Sequence, residues 1–291
     1  MKPEQMSSTA EATAAMRAAH YLYHQPVVFH DPYALQLTSP ALRRVLQNRF
    51  FGWLLSRKFI SSSLRPITAQ VVSRAKYAEE KLEQAVAKGI YQYVMISAGL
   101  DTFSLRRPDF SSGLQIYELD HPATQRIKQK RLMDISATGP AGVEFLAVDL
   151  EKQTIAEALS SSSFSKEKKA FFSWLGTVPY LSVEAVFKVL RSLAAYATRG
   201  SEIVFDYSIP PDMWAPEDRQ ALGRILRIIA RQGEALQSFF EPDAFPDDVS
   251  HLGYHIFENI SPAELNDRYF SDRSDGLMTH SAAYILHAEI I

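Results

Sequence analysis

The chain has 291 residues, 46% of them apolar, and its 31 Lys and Arg nearly balance 33 Asp and Glu. That suffices for one full-sized core with a cap rather than two independent domains, and the lack of any basic block argues against a nucleic-acid partner. The absence of cysteine excludes disulfides, thiolate zinc sites and a cysteine nucleophile. The first residues, "MKPEQMSSTAEATAAMRAAH", are too polar for a secretory signal. No apolar run approaches the roughly 18 residues of a membrane span, with "FFGWLL" at 50–55 coming nearest. A soluble, cytoplasmic protein with no membrane association is the expectation.

In chain order, Ser8-x-x-Glu11 reads as a capping box before an Ala-rich helix reaching about Tyr23. Asp31-Pro32 and Ser39-Pro40 punctuate the next stretch of chain. A longer helix is expected from Pro66, as an N1 proline, to a stop at Gly89. Residues 1–65 therefore read as an N-terminal helical cap and 66–291 as the main domain. From Tyr93 the period changes. Short apolar runs at 93–97, 115–119, 143–148, 170–174 and 202–207 alternate with helical or loop segments, the clearest helix being 182–195. This is the pattern of a parallel sheet covered on both faces. After Tyr207, Pro210-Pro211 breaks the pattern. A helix at about 217–239 and an acidic loop, "EPDAFPDD", read as a lid insertion at about 210–250 over the carboxyl edge of the sheet. A strand at 254–259, a second capping box at Ser261…Glu264 and a strand at 278–288 complete a seven-stranded, mostly parallel α/β sheet ending in an antiparallel hairpin.

The first run ends in "SAGLDT" and the second in "ELDHP". Ligands of open α/β sheets bind beyond the carboxyl ends of the strands. There Gly99 allows a tight turn without a Cβ, and Asp120 can accept hydrogen bonds from ribose hydroxyls. Glu118, two residues earlier on the strand, points to the same face. The loop carries one glycine, so the dinucleotide fingerprint G-x-G-x-x-G is missing, as is a P-loop. The residues thus favour a nucleoside without a pyrophosphate, S-adenosylmethionine above all, over NAD.

The segments "ISAGLDTFSLR", "IYELDHPATQRIKQKRL", "SRAKYAEE", "AVDLE" and "WLGTVPYLSVEAV" resemble the leucine carboxyl methyltransferase-like family of S-adenosylmethionine-dependent enzymes. The resemblance implies a Rossmann-like class I methyltransferase fold. It also implies that Arg74 pairs with the carboxylate of the donor, that Ser97, Ala98 and Gly99 lie along its methionine part, and that Asp120 holds the ribose. Asp149 and Leu150 would flank the adenine. A bidentate Arg fork suits a carboxylate, and Asp149 can accept from the adenine amine. Two departures stand out: Ser97 occupies the position of a frequent family glycine, and Leu175-Gly176 replaces a frequent Glu-Gly. The missing acid argues against carrying over the protein-terminus substrate and toward the bacterial small-molecule branch, with a place in secondary metabolism.

The chemistry expected is O-methylation of a carboxylate or hydroxyl on a small organic acceptor. N- or C-methylation of a metabolite, protein carboxyl methylation and a non-catalytic nucleoside-binding regulator are the alternatives. Tyr180, after the fourth strand, could orient the acceptor or simply pack on the next helix, and Tyr77, beyond Arg74, could touch the donor or its own helix face. His30-Asp31 has the form of a base with its orienter, although adjacent side chains often point apart. His20 and His24 share a helical face, but no HExxH or third ligand accompanies them, so no metal is expected. Trp174 reads as core, His121 as loop, Arg126–Arg131 as a solvated helix face and 225–229 as a lid or dimer surface.

Overall fold

Seven strands form one sheet in the order β3-β2-β1-β4-β5-β7-β6. They are β1 (Gln92–Ile96), β2 (Gln115–Asp120), β3 (Val143–Ala147), β4 (Ala170–Trp174), β5 (Glu202–Ser208), β6 (Tyr254–Ile260) and β7 (Ala283–Ile290). The computed structural model describes residues 7–48, 50, 64–136, 140, 142–150, 152–231 and 234–291. The expected cap segment at 51–63, with most of the "FFGWLL" run, lies outside the described residues.

All pairings are parallel except those of β7, which runs antiparallel to both β5 and β6. The central strands β1, β4 and β5 are buried along their whole length, which is why they read as continuous apolar runs rather than alternating ones. Their side chains still alternate between two layers. Val94, Ile96, Phe172 and Trp174 enter one core with the helix Val183–Tyr196. Tyr93, Met95 and Phe171 enter the other with Tyr77 and Leu82 of the helix Leu64–Ala87. Trp174 is wholly buried in the first of these cores, as expected of a core residue.

The helix Leu64–Ala87 ends at Gly89 (φ 91°). The Gly89 amide donates to Val86 and that of Ile90 to Ala85, the two bonds of a Schellman motif, which needs a left-handed residue at this place. Its first described turn holds Pro66 as the third residue, not the first. The N-terminal helix Ser8–Tyr23 is capped by Ser7, whose hydroxyl accepts from the Ala10 amide, so no Ser8–Glu11 box forms. With Ser7 as cap, Ala10 takes the position where the box needs an acid, and Glu11 instead pairs with Arg131 at 2.7 Å. The Ser261–Glu264 box does form.

Two expectations in the second half change. The helix after β5 spans Pro216–Arg231. Its expected continuation is lost because the amides of Gln237 and Ser238 donate to Pro179 and that of Phe240 to Ser208, which holds the chain away from helical pairing. The acidic loop contains the short helix Phe245–Ser250, with Pro246 and two aspartates in its first turn, where proline and negative charge are favoured. β7 begins at Ala283 because Thr279 is held by Asn266 and Ser281 by Asp218.

Buried charges fasten the N-terminal helices to the sheet. Arg17 pairs with Asp31 at 2.8 Å and donates to the Leu100 carbonyl at 2.6 Å. Asp31 also accepts from Thr102 and from the Ala34 amide. His20 and His24 are buried side by side, ring centroids 5.4 Å apart. His20 accepts from the Val28 amide, and both nitrogens of His24 lack a hydrogen-bond partner. Burial, helped by the charges of His24 and Arg273 at His20 and of Arg65 and Arg273 at His24, lowers both pKa values, to about 3 for His20 and about 4 for His24. Among the described residues no group of three or more such side chains could hold a metal, and no helix is long and apolar enough to cross a membrane.

Below pH 6.5 the unfolded chain protonates His24 while the native chain does not, so native stability is lost as pH falls toward about 4. Replacing His24 with leucine removes this titration. Urea titrations at several pH values are expected to show wild type losing about 1.4 kcal/mol per pH unit relative to His24→Leu below pH 6.5. Parallel stability curves would contradict the buried neutral imidazole.

Candidate active site

The strand order reverses between β1 and β4, and a crevice opens outside their carboxyl ends, the place where α/β sheets take ligands. A cavity of about 300 Å³ occupies it, at the small end of small-molecule sites. From the sheet it receives Ser97, Ala98 and Gly99 after β1, Asp120 at the tip of β2, and Asp149 and Leu150 after β3. Arg74 enters from the long helix and Tyr180 from the turn after β4.

The glycine turn is held by backbone geometry. Ser97 (φ 58°) and Gly99 (φ 55°) both adopt the left-handed conformation, which disfavours a Cβ. The Asp120 carboxylate accepts from the Gly99 and His121 amides, tying β2 to the turn. Burial raises its pKa in spite of those donors. Asp149 pairs with the exposed Lys152 at 2.7 Å.

Arg74 pairs with Asp206 of β5 at 2.8 Å, and the other Asp206 oxygen accepts from the Gly176 amide at 2.6 Å. A Cβ on Gly176 (φ 73°) would lie 2.3 Å from the guanidinium of Arg74. Asp206 thus places a carboxylate beside the segment where the sequence has Leu175, one strand over from the expected acid.

A second cavity of about 180 Å³ shares Thr9, Thr13, Val71, Arg74, Gly176 and Tyr180 with the first. Its remaining wall is mostly apolar, with Ile67, Trp214, Leu222, Ile225, Leu226 and Ile229. The residues at 225–229, expected to form a lid or dimer surface, therefore face this cavity in part. Tyr180 hydrogen-bonds Thr9, and burial raises its pKa. Glu234 accepts from the hydroxyls of Ser7, Ser8 and Thr9 and from the amides of Ser8 and Thr9. Its negative charge lies at the positive end of the N-terminal helix, so the segment after β5 and the chain's N-terminal region meet over both cavities.

Three residues expected at the site lie outside both cavities. Tyr77 is buried one turn away, its hydroxyl on Glu258 of β6. Burial and that carboxylate raise its pKa, so it serves the helix–sheet junction. Glu118 is buried on β2 and paired with the buried Lys128 of the following helix. Burial raises its pKa, with Lys128 opposing. His30 is exposed against Tyr21, while its neighbour Asp31 turns inward to Arg17; the two side chains diverge, and no base–orienter pair exists.

Several contributors went unmarked in the sequence. Arg17, Glu79 and Asp101 line the first cavity, and Gln70, Asp206 and His280 the second. Asp101 was legible inside the "SAGLDT" motif, and Gln70 lies one helical turn before Arg74. Asp206, Glu234 and His280 come from distant chain, with no local pattern to announce them.

Residues 10–194 match the family model for leucine carboxyl methyltransferase. Among similar proteins, YktD of Bacillus subtilis (strain 168), provisionally named an S-adenosyl-L-methionine-dependent methyltransferase, is 30% identical over 99% of both chains. A protein of Mycobacterium avium (strain 104) with the same provisional name is 29% identical over 68% of this chain and 63% of its own. A solved DUF574 family protein of Streptomyces avermitilis MA-4680 shares the fold at a TM-score of 0.62, with 12% identity over 99% of each chain. The fold and these relatives define a class I methyltransferase dependent on S-adenosylmethionine. The chain belongs to the leucine carboxyl methyltransferase family.

Because Ser97 holds a conformation that glycine adopts freely, Ser97→Gly is expected to stabilise the protein by about 1 kcal/mol. Chemical denaturation measures this, and a loss of stability would show that the Ser97 side chain contributes more than its backbone costs.

Proposed function

We propose that this methyltransferase carries out O-methylation of a small organic acceptor, with a carboxylate favoured over a hydroxyl, and that the second cavity receives that acceptor. The observation carrying this reading is the shared wall: Arg74, Tyr180 and Gly176 border both cavities, so a donor in one and an acceptor in the other would meet beside them. The first cavity fits the donor by its chemistry. Asp149, Asp120, Gly99 and Gly176 follow the tips of β3, β2, β1 and β4, a row of about 14 Å at the usual strand spacing. In this reading Asp149 and Leu150 flank the adenine, Asp120 holds the ribose, Ser97 to Gly99 lie along the methionine, and Arg74 exchanges part of its bond to Asp206 for the donor's carboxylate. S-adenosylmethionine supplies a methyl group already activated on a sulfonium. The protein's contribution is to align the acceptor oxygen with it, which can be worth roughly 7–11 kcal/mol.

Two titratable groups on the acceptor side support an acceptor that is already ionised. Tyr180 stays a neutral phenol, its pKa raised by burial, and acts as a positioning hydrogen-bonder. His280 has its pKa lowered to about 4, first by burial. Its Nδ1 accepts from the Ala282 amide, so Nε2 carries the proton and donates. Neither takes a proton from a hydroxyl; a carboxylate has none to lose. The Glu234 contacts, which bring the start of the N-terminal helix and the segment after β5 together beside the first cavity, support a metabolite over a protein terminus. Cytoplasmic tailoring of small metabolites accords with this reading, and no observation favours N- or C-methylation.

Calorimetric titration is expected to show S-adenosylhomocysteine binding to wild type, at least tenfold weaker binding to Asp120→Ala, and no heat with NAD. Failure of wild type to bind would remove the donor assignment. Tyr180→Phe is expected to keep that affinity while lowering kcat for an accepted carboxylic acid about tenfold or more; an unchanged kcat would leave Tyr180 as a packing residue.

A further inference from the structure

Gln70 is 3% exposed and lines the second cavity, yet neither its amide nitrogen nor its amide oxygen has a hydrogen-bond partner. A buried amide left unpaired on both sides is costly, and an apolar side chain of similar size would suit the neighbouring Ile67 and Val71 better. Gln70 sits four residues before Arg74 on one helix, about 6 Å along the axis. It is therefore set back from Arg74 by about one turn. His280 lines the same cavity and offers its Nε2 proton. The cavity's volume of about 180 Å³ is slightly above the roughly 150 Å³ of a cavity that accepts benzene.

Resting on the reading of this cavity as the acceptor site, we propose that Gln70 is a specificity-determining residue. It binds a second polar group on a compact acceptor: a carboxylic acid with one ring, or its equivalent in bulk. The substituent remote from the reacting carboxylate both donates and accepts hydrogen bonds. The amide nitrogen donates to this group and the amide oxygen accepts from it, while the apolar wall excludes water and packs the ring. An acid with only an apolar tail leaves the amide unpaired and is discriminated against, because a buried polar group without its partner penalises the wrong ligand more than a missing contact does.

The probes are 4-carbamoylbenzoate and 4-hydroxybenzoate against 4-ethylbenzoate, titrated by calorimetry into the complex with S-adenosylhomocysteine. Wild type is expected to bind the polar pair at least tenfold more tightly than the ethyl compound. Gln70→Leu is expected to lose or invert that preference, to bind S-adenosylhomocysteine unchanged and to melt at the same or a higher temperature in the absence of ligand. Gln70→Asn, which keeps the amide but withdraws it, is expected to fall between them. An undiminished preference in Gln70→Leu, equal binding of all three acids by wild type, or no binding of any of them to a complex that does form would each overturn the proposal. Failure of S-adenosylhomocysteine itself to bind would instead strike at the donor site, a separate result read in the same experiment.

Discussion

The site depends on one constraint of chain direction. The crossovers leaving β1 and β4 go to opposite faces of a parallel sheet, so the helices cannot close over the gap between those strands. The glycine turn, Asp120 and Arg74 come together at that gap. The glycine turn needs left-handed backbone because β1 must end abruptly there, and Asp120 reaches it because β2 lies beside β1 in register, Ile96 opposite Leu119. On the other flank, β5 brings Asp206 beside the segment after β4, where one carboxylate holds both Arg74 and the Gly176 amide.

A bare crevice of this kind is open to water on its outer side. Here the outer side is supplied by chain far away in sequence and is fastened by charge rather than by apolar area alone. Asp31 lies at the centre of one fastening, with Arg17, Thr102 and the Ala34 amide around it, and Arg106 at 3.7 Å. Removing one partner from such a buried cluster leaves a charge without compensation, which costs far more than the intact cluster contributes. The buried charges therefore read as devices of position: they fix where the N-terminal helix lies over the turn.

The sheet was legible in the sequence because burial on both faces writes itself as runs of apolar residues separated by turns, and the order of those runs dictates the layers. The turn and strand-tip acids were legible for a related reason, since they sit at the ends of those same runs. Reading failed where a residue's setting is decided by something remote. Glu118 and Asp120 share a strand and a face, yet Lys128 on the next helix claims the first. Tyr77 follows Arg74 by less than a turn, and Glu258, from β6, turns it to the sheet edge. Asp206 and Glu234 lacked any local pattern at all. The helix expected to run to residue 239 stops short because Pro179 competes for its amides, a competition no window of sequence contains.

The contacts made by Glu234 have a consequence for how the protein turns over. With one carboxylate gathering the hydroxyls and first free amides of the N-terminal helix, that helix end is tied to the segment after β5 beside the first cavity. Departure of spent donor or methylated product along that side would then require the cluster to open. Such motions belong to the microsecond-to-millisecond range and often govern the steady-state rate. The clock of the reaction would in that case be set at the surface, by how long one acid keeps hold of a helix end.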